Sequence, residues 1–388
     1  MKKFLALLLA LVMSLSLVAC GGGSDTTTDE STDTEGGDTA ETASYQVAMI
    51  TDYGDITDQS FNQTTYEACQ EFCNAQGLQF EYYKPQGDST PERVAMVDAA
   101  VADGYNVIVM PGYAFAETIK ETAELYPDVT FIALDVAQGD LDPNGEGYTL
   151  PSNVYCAVYQ EELCGYMAGY AAVKLGYTHL GVLGGMAVPA VQRFGYGFVQ
   201  GADAAAVELG IADQVVIEYA YGNQFFGDAD ITAYMDNWYQ TLGVEVVFAS
   251  GGGIYTSAAE AAAKVGGKLI GVDVDQSANI DTYGEGMCVT SAMKGLAETV
   301  QHMLSEVVAG NFANYGGKIE TLGLVSGDDP TANYVQLPME TTQWGDGFTQ
   351  DDYKALVKAM YDGEVTVSND TSAMPETTIT VNFAGNIK

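Results

Sequence analysis

The chain has 388 residues, 47% apolar and only 17% charged, so it can fill real cores and is not disordered over most of its length. Its 53 acids outnumber 14 bases, a formal net charge of −39. That excludes broad nucleic-acid binding and a polybasic grip on anionic lipid, both of which need clustered Lys and Arg, and two histidines leave little for multi-histidine metal sites or Ser–His chemistry.

In chain order, residues 1–19 read as a secretory signal peptide. Lys2 and Lys3 precede an apolar run from Phe4 to Val18 that is too short to span a bilayer. Leu17-Val18-Ala19-Cys20 resembles the cleavage box of a bacterial lipoprotein, so Cys20 is the expected lipidation site. Residues 20–44 carry seven acids and no aliphatic side chain larger than Ala, which predicts a solvated, disordered acidic tether. No later run approaches the length of a span.

From Tyr45 onward, short apolar runs alternate with amphipathic stretches. Val47–Ile50 reads as a strand, followed by a helix over about 58–75 that Asp58 or Ser60 can cap and Gly77 can end. Strands follow at 80–83, 106–110 and 130–134, with helices near 90–103 and 114–125 between them. The pattern then restarts. Helices near 160–174, 189–209, 228–241 and 255–265 alternate with strands at 180–183, 214–217, 244–248 and 268–272. A further strand from about Met287 and a helix over 294–309 follow. Strands without polar alternation, spaced by helices, predict parallel sheets covered on both faces, and two such series predict two doubly wound lobes. The late elements are expected to cross back and complete both sheets. The expected division is 45–157 with about 291–330 as one lobe, and 158–290 with about 331–388 as the other.

Ligands in such folds sit at the carboxyl ends of strands, here in the cleft between lobes. The loops at those ends carry Asp52, Asp135, and Asp273 with Asp275. Ser250–Gly253 adds a glycine turn that lets backbone approach a ligand closely. Acids with few bases suggest a neutral, hydroxyl-rich ligand, because carboxylates accept hydrogen bonds from diols and ring N–H groups. Phe61 and Phe226 could sandwich a planar ring. No loop matches a phosphate-binding glycine pattern. Asp140–Gly145 resembles half of a calcium loop but lacks its closing Glu, and is read as a turn. Cys69 and Cys73, one helical turn apart, are read as small buried hydrophobes.

The same segments carry a family resemblance. Gly54–Asn62 (GDITDQSFN), Pro111–Phe115, Tyr126–Asp135, Glu161–Gly169, Gly181–Met186, Phe194–Gly201, Gly271–Gln276 and Ser291–Lys294 resemble, in order, the basic membrane protein family. This is the PnrA-like group of purine nucleoside-binding lipoproteins that serve ABC importers. The resemblance implies an α/β, type I periplasmic-binding-protein fold with two doubly wound parallel-sheet lobes joined by a multi-strand hinge. It implies a base held between Phe61 and Phe226, with Phe225 the adjacent alternative. Asp52 and Asp135 would read the base edge, the pair Asp273–Lys294 would hold the ribose, and Gly252 would give a backbone contact. It further implies no catalysis, cofactor or metal, and no nucleic acid. The expected partners are an ABC permease and ATPase, and the expected place is the extracytoplasmic side of the cell membrane, as a lipid-anchored monomer. A sugar receptor of the same fold is the alternative within binding. A secreted nucleosidase using Asp52, Asp135 and Asp273 is the alternative from another class.

Overall fold

The computed structural model describes residues 45–387. The expected signal peptide, Cys20 and the tether lie outside the described residues. The first sheet begins with β1 (Gln46–Ile50) and β2 (Gln79–Tyr83), joined by α1 (Phe61–Gln76). After α2 (Thr90–Ala102) come β3 (Val107–Pro111) and, past α3 (Ala116–Thr122), β4 (Thr130–Leu134). A one-turn helix α4 (Gln138–Leu141) precedes β5 (Val154–Tyr159). β3 is VIVMP and buried throughout, and β4 (TFIAL) is buried from its second residue, as expected of strands covered on both faces. β5 (VYCAVY) is not among the strands expected from sequence, because two Tyr and a Cys dilute its aliphatic signal.

The second sheet repeats the scheme. After α5 (Glu161–Lys174), β6 (His179–Gly184), α6 (Pro189–Leu209), β7 (Val216–Tyr221), α7 (Ala229–Asn237) and β8 (Val246–Ser250) follow. Then come α8 (Tyr255–Ala263), β9 (Lys268–Asp273), the short α9 (Ser277–Ile280) and β10 (Cys288–Lys294). The chain returns to the first lobe for α10 (Leu296–Val308) and β11 (Lys318–Leu322). It ends in the second with β12 (Val335–Gln336), α11 (Gln350–Tyr361) and β13 (Thr380–Asn386).

Strand orders are β11-β5-β4-β3-β1-β2 and β12-β10-β9-β8-β6-β7-β13. Every pairing is parallel except β10 with β12. The chain therefore crosses between lobes at Gln160, at Gly295, and between Leu322 and Val335. The second crossing falls later than about 291 because β10 stays paired with β9 as far as Met293, which faces Asp273.

Lys294 does not open the helix expected over 294–309. It ends β10, and α10 starts after Gly295. The helix expected at 228–241 is α7 followed by a π-helical turn, Trp238–Leu242. α5 and α6 pack face to face through glycines. Side chains added at Gly165 and Gly169 would run into the carbonyl oxygens of Phe194 and Phe198, and at Gly197 and Gly201 into those of Glu162 and Tyr166. Backbone thus lies on backbone, which sets where the first turns of both helices stand.

Candidate functional site

A cavity partly open to solvent, its empty volume about 840 Å³ with the open mouth included, lies between the facing carboxyl ends of the two sheets. Asp52, Phe61, Asp135, Gly252, Asp273 and Lys294 line it together. The lobes touch across it. Ser60 Oγ donates to Asp273 Oδ2 at 2.6 Å, Gln276 Nε2 donates to the Gln59 carbonyl at 3.1 Å, and Tyr255 O–H donates to Gln59 Oε1. This is a closed arrangement.

Asp52 follows β1. Its Oδ1 accepts the backbone N–H groups of Tyr53 (2.6 Å) and Gly54 (2.8 Å), which leaves Oδ2 without a protein donor among the described residues. Burial raises its carboxyl above the usual range, against the pull of those N–H groups and of Arg93. Gly112 makes room for it: a Cβ there, at φ 127°, would sit 2.8 Å from Asp52 Oδ2.

The other acids form a separate cluster. Asp135 follows β4 and Asp273 ends β9, so they hold matching places in the two lobes. Both have left-handed backbone, φ 61° and 66°, which Asp tolerates better than most residues but at a strain of about 1–3 kcal/mol. Backbone strain of this kind clusters at functional sites.

Lys294 joins them. Its Nζ lies 2.6 Å from Asp135, 3.5 Å from Glu161 and 3.8 Å from Asp273. It also sits over the rings of Phe61 (4.7 Å), Tyr159 (5.3 Å) and Phe194 (5.6 Å). Burial works to lower the Lys294 ammonium, but the three carboxylates hold it above its ordinary value. Burial pushes Asp273 up to about 6, against the pull of Lys294 and Ser60. The expected Asp273–Lys294 pair therefore exists, but the tighter partner of Lys294 is Asp135, in the opposite lobe.

Three buried side-chain oxygens on the cavity wall have no hydrogen-bond partner: Asn62 Oδ1, Asp135 Oδ1 and Ser250 Oγ. Buried polar atoms are rarely left so, and these are suited to a polar ligand.

Phe226 is the site residue the structure moves. It is 60% exposed and outside the cavity wall, while its neighbour Phe225 lines it. Phe226 forms a backbone bridge with Gly253, which turns its side chain to a second, more open hollow outside. Strand periodicity cannot resolve a one-residue choice in a loop. Gly252 lines the cavity with φ 55°, a left-handed value that favours glycine.

The sequence reading missed Glu161 and Arg193. Glu161 is fully buried, and Arg193 Nε donates to its Oε2 at 2.7 Å. Burial raises the Glu161 carboxyl even against Arg193 and Lys294. Both lie in segments quoted or adjoining those quoted for the family resemblance, which was the available signal. Asp142 accepts the N–H groups of Glu146, Gly147 and Tyr148, so the calcium-like segment is a turn, as read. Among the described residues no group of three or more His, Cys, Asp or Glu is placed to hold a metal ion.

The family described as "ABC transporter substrate-binding protein PnrA-like" matches residues 45–328, spanning both sheets and every cavity residue named above. The chain belongs to this family. It is 28% identical over 338 residues to the "CD4+ T-cell-stimulating antigen" of Listeria innocua, covering 82% of this chain and 87% of that protein. It is 26% identical over 343 residues to the "ABC transporter nucleoside-binding protein BmpA" of Lactococcus lactis, covering 83% and 88%. Among solved structures, an ABC transporter solute-binding protein of Aeropyrum pernix superposes with a TM-score of 0.62 at 24% identity, covering 84% of this chain and 88% of that one. The fold is thus the α/β type I periplasmic-binding architecture, and the chain is a substrate-binding protein of the ABC-transporter class.

Proposed function

We propose that this PnrA-like protein is the lipid-anchored receptor of a nucleoside importer. It captures a purine nucleoside in the interlobe cavity and delivers it to a membrane permease driven by a separate ATPase subunit. The observation that carries this reading is the chemistry of the interlobe cavity. Phe61, Phe194 and Phe225 supply apolar ring surface, Asp52 offers a free Oδ2, and Asp135, Asp273 and Lys294 gather as a polar cluster beside Phe61 and Phe194. A nucleoside has the matching parts: a flat base with N–H donors on its edge, and a sugar with vicinal hydroxyls. The name of the Lactococcus lactis relative supports the same ligand class.

Binding and release are the whole task in this reading, so no bond is broken and no cofactor enters. Cys20 carries the lipid, residues 20–44 are the leash, and the protein works as a monomer on the extracytoplasmic face of the membrane. The test is to denature the purified protein, identify any released small molecule by mass spectrometry, and titrate purine nucleosides, free bases and sugars calorimetrically. Binding of a free sugar with no purine nucleoside bound would overturn the ligand assignment. Release of hypoxanthine from inosine would overturn the binding-only reading.

A further inference from the structure

Arg193 stands in the first turns of α6 and lines the cavity, with 16% of its side chain exposed. Its Nε is fixed at 2.7 Å to Oε2 of the fully buried Glu161. Beyond that bond it makes no other hydrogen bond or ion pair among the described residues. A guanidinium carries five N–H donors in a rigid plane, and four of them are left.

The donors at this end of the cavity are few. Lys294 is already divided among Asp135, Glu161 and Asp273. Acceptors are plentiful, and Asp135 Oδ1 is buried without a partner. A sugar hydroxyl both donates and accepts. Carboxylates satisfy the donating half. Lys294 already donates to Asp135 and Glu161, whereas Arg193 keeps four uncommitted N–H groups for the accepting half.

A phosphate does not fit the same place. Asp135, Asp140, Glu161 and Asp273 surround these two cations, and Asp140 feels the charge of Arg193 across the cleft. Four carboxylates against two cations repel an anion.

We infer that Arg193 is a specificity-determining residue: its free guanidinium edge donates to a hydroxyl of the ligand's ribose diol, so the site selects ribonucleosides over their deoxy analogues. This rests on the nucleoside reading above. Glu161 is then a positioning residue, which locks the plane of the guanidinium from below.

The test is a ligand-by-variant cycle. Inosine and adenosine, each with its 2′-deoxy and 3′-deoxy forms, are titrated into the wild-type protein and into Arg193→Lys, which keeps a cation beside Glu161 but loses the fork. The wild type is expected to prefer the ribonucleoside by at least about 10-fold over one of the deoxy forms, the scale of a hydrogen bond to a charged group. In Arg193→Lys that preference should collapse to within about 2-fold, through weaker ribonucleoside binding alone. Equal weakening of all forms would mean a structural role and overturn the inference. So would a wild-type protein with no preference, a result that needs no variant. If the wild type binds none of these compounds, the nucleoside reading itself falls, which is a different result from a lost preference.

Discussion

Asn is close to Asp in shape and also tolerates the left-handed backbone at position 273, φ 66°, so Asp273→Asn removes a charge and little else. The carboxyl sits at about 6 in the folded protein against 3.8 for an ordinary Asp, chiefly because it is buried. Two units correspond to about 3 kcal/mol at neutral pH. The folded chain therefore holds a proton between about pH 4 and 6 that an unfolded chain has released. Asp273's contribution to stability is greatest below that window and is lost as pH rises through 6. The variant escapes this loss, and Lys294 still keeps Asp135 at 2.6 Å. Asp273→Asn should be more stable at pH 7.5 by about 1–3 kcal/mol, a rise in Tm of about 2–6 °C, and show no advantage at pH 4. Binding should move the other way. Losing a charged acceptor for a ribose hydroxyl costs about 1–3 kcal/mol, so Kd rises about 10- to 100-fold for a nucleoside and stays unchanged for the free base. Calorimetric melts at the two pH values and titrations with both ligands check this. A variant less stable than wild type at pH 7.5 would show that Ser60 and Lys294 outweigh burial. Unchanged nucleoside affinity would remove Asp273 from the ligand site.

Phe225→Ala should raise the nucleoside Kd by about 10-fold, from lost stacking and apolar contact, while Phe226→Ala changes it by less than about 2-fold; equal effects in a titration would contradict the placement of the two rings. Gly169→Ala forces a methyl into the Phe198 backbone and should cost about 3 kcal/mol or more in urea unfolding, whereas Gly210→Ala, with open space around it but φ 69°, should cost about 1 kcal/mol. Cys20→Ser should abolish incorporation of labelled palmitate and release the protein from the membrane fraction, and retained label would place the lipid elsewhere.

The fold was legible because its strands are buried on both faces. Apolar runs such as Val107–Pro111 and Thr130–Leu134 stand out without any need for alternation. β5 was not, since Tyr155 and Tyr159, though both buried, break up its aliphatic run. In the site, acids at strand ends could be found by position alone. Lys294 could be named from the resemblance but not placed, because one glycine decides whether it ends a strand or opens a helix. Arg193 and Glu161 were beyond reach for a further reason. Their meeting depends on how closely α5 approaches α6, and glycines in a helix signal flexibility in sequence but contact in space.

In the proposed reading, the division of the site between lobes makes closure and ligand capture one event. The first lobe brings Asp52, Phe61 and Asp135, and the second brings Glu161, Arg193, Phe225, Asp273 and Lys294. Both basic residues on the cavity wall thus come from the second lobe, yet the shortest ion pair, Lys294–Asp135, runs to the first. Opening must break that pair and the Ser60–Asp273 hydrogen bond together. Each separated lobe would leave carboxylates for water to solvate, so the empty protein can open at little net expense. A ligand that spans both halves adds contacts only the closed form can make, and it shifts the equilibrium by that difference alone. A ligand touching one lobe alone would bind without holding the cleft shut.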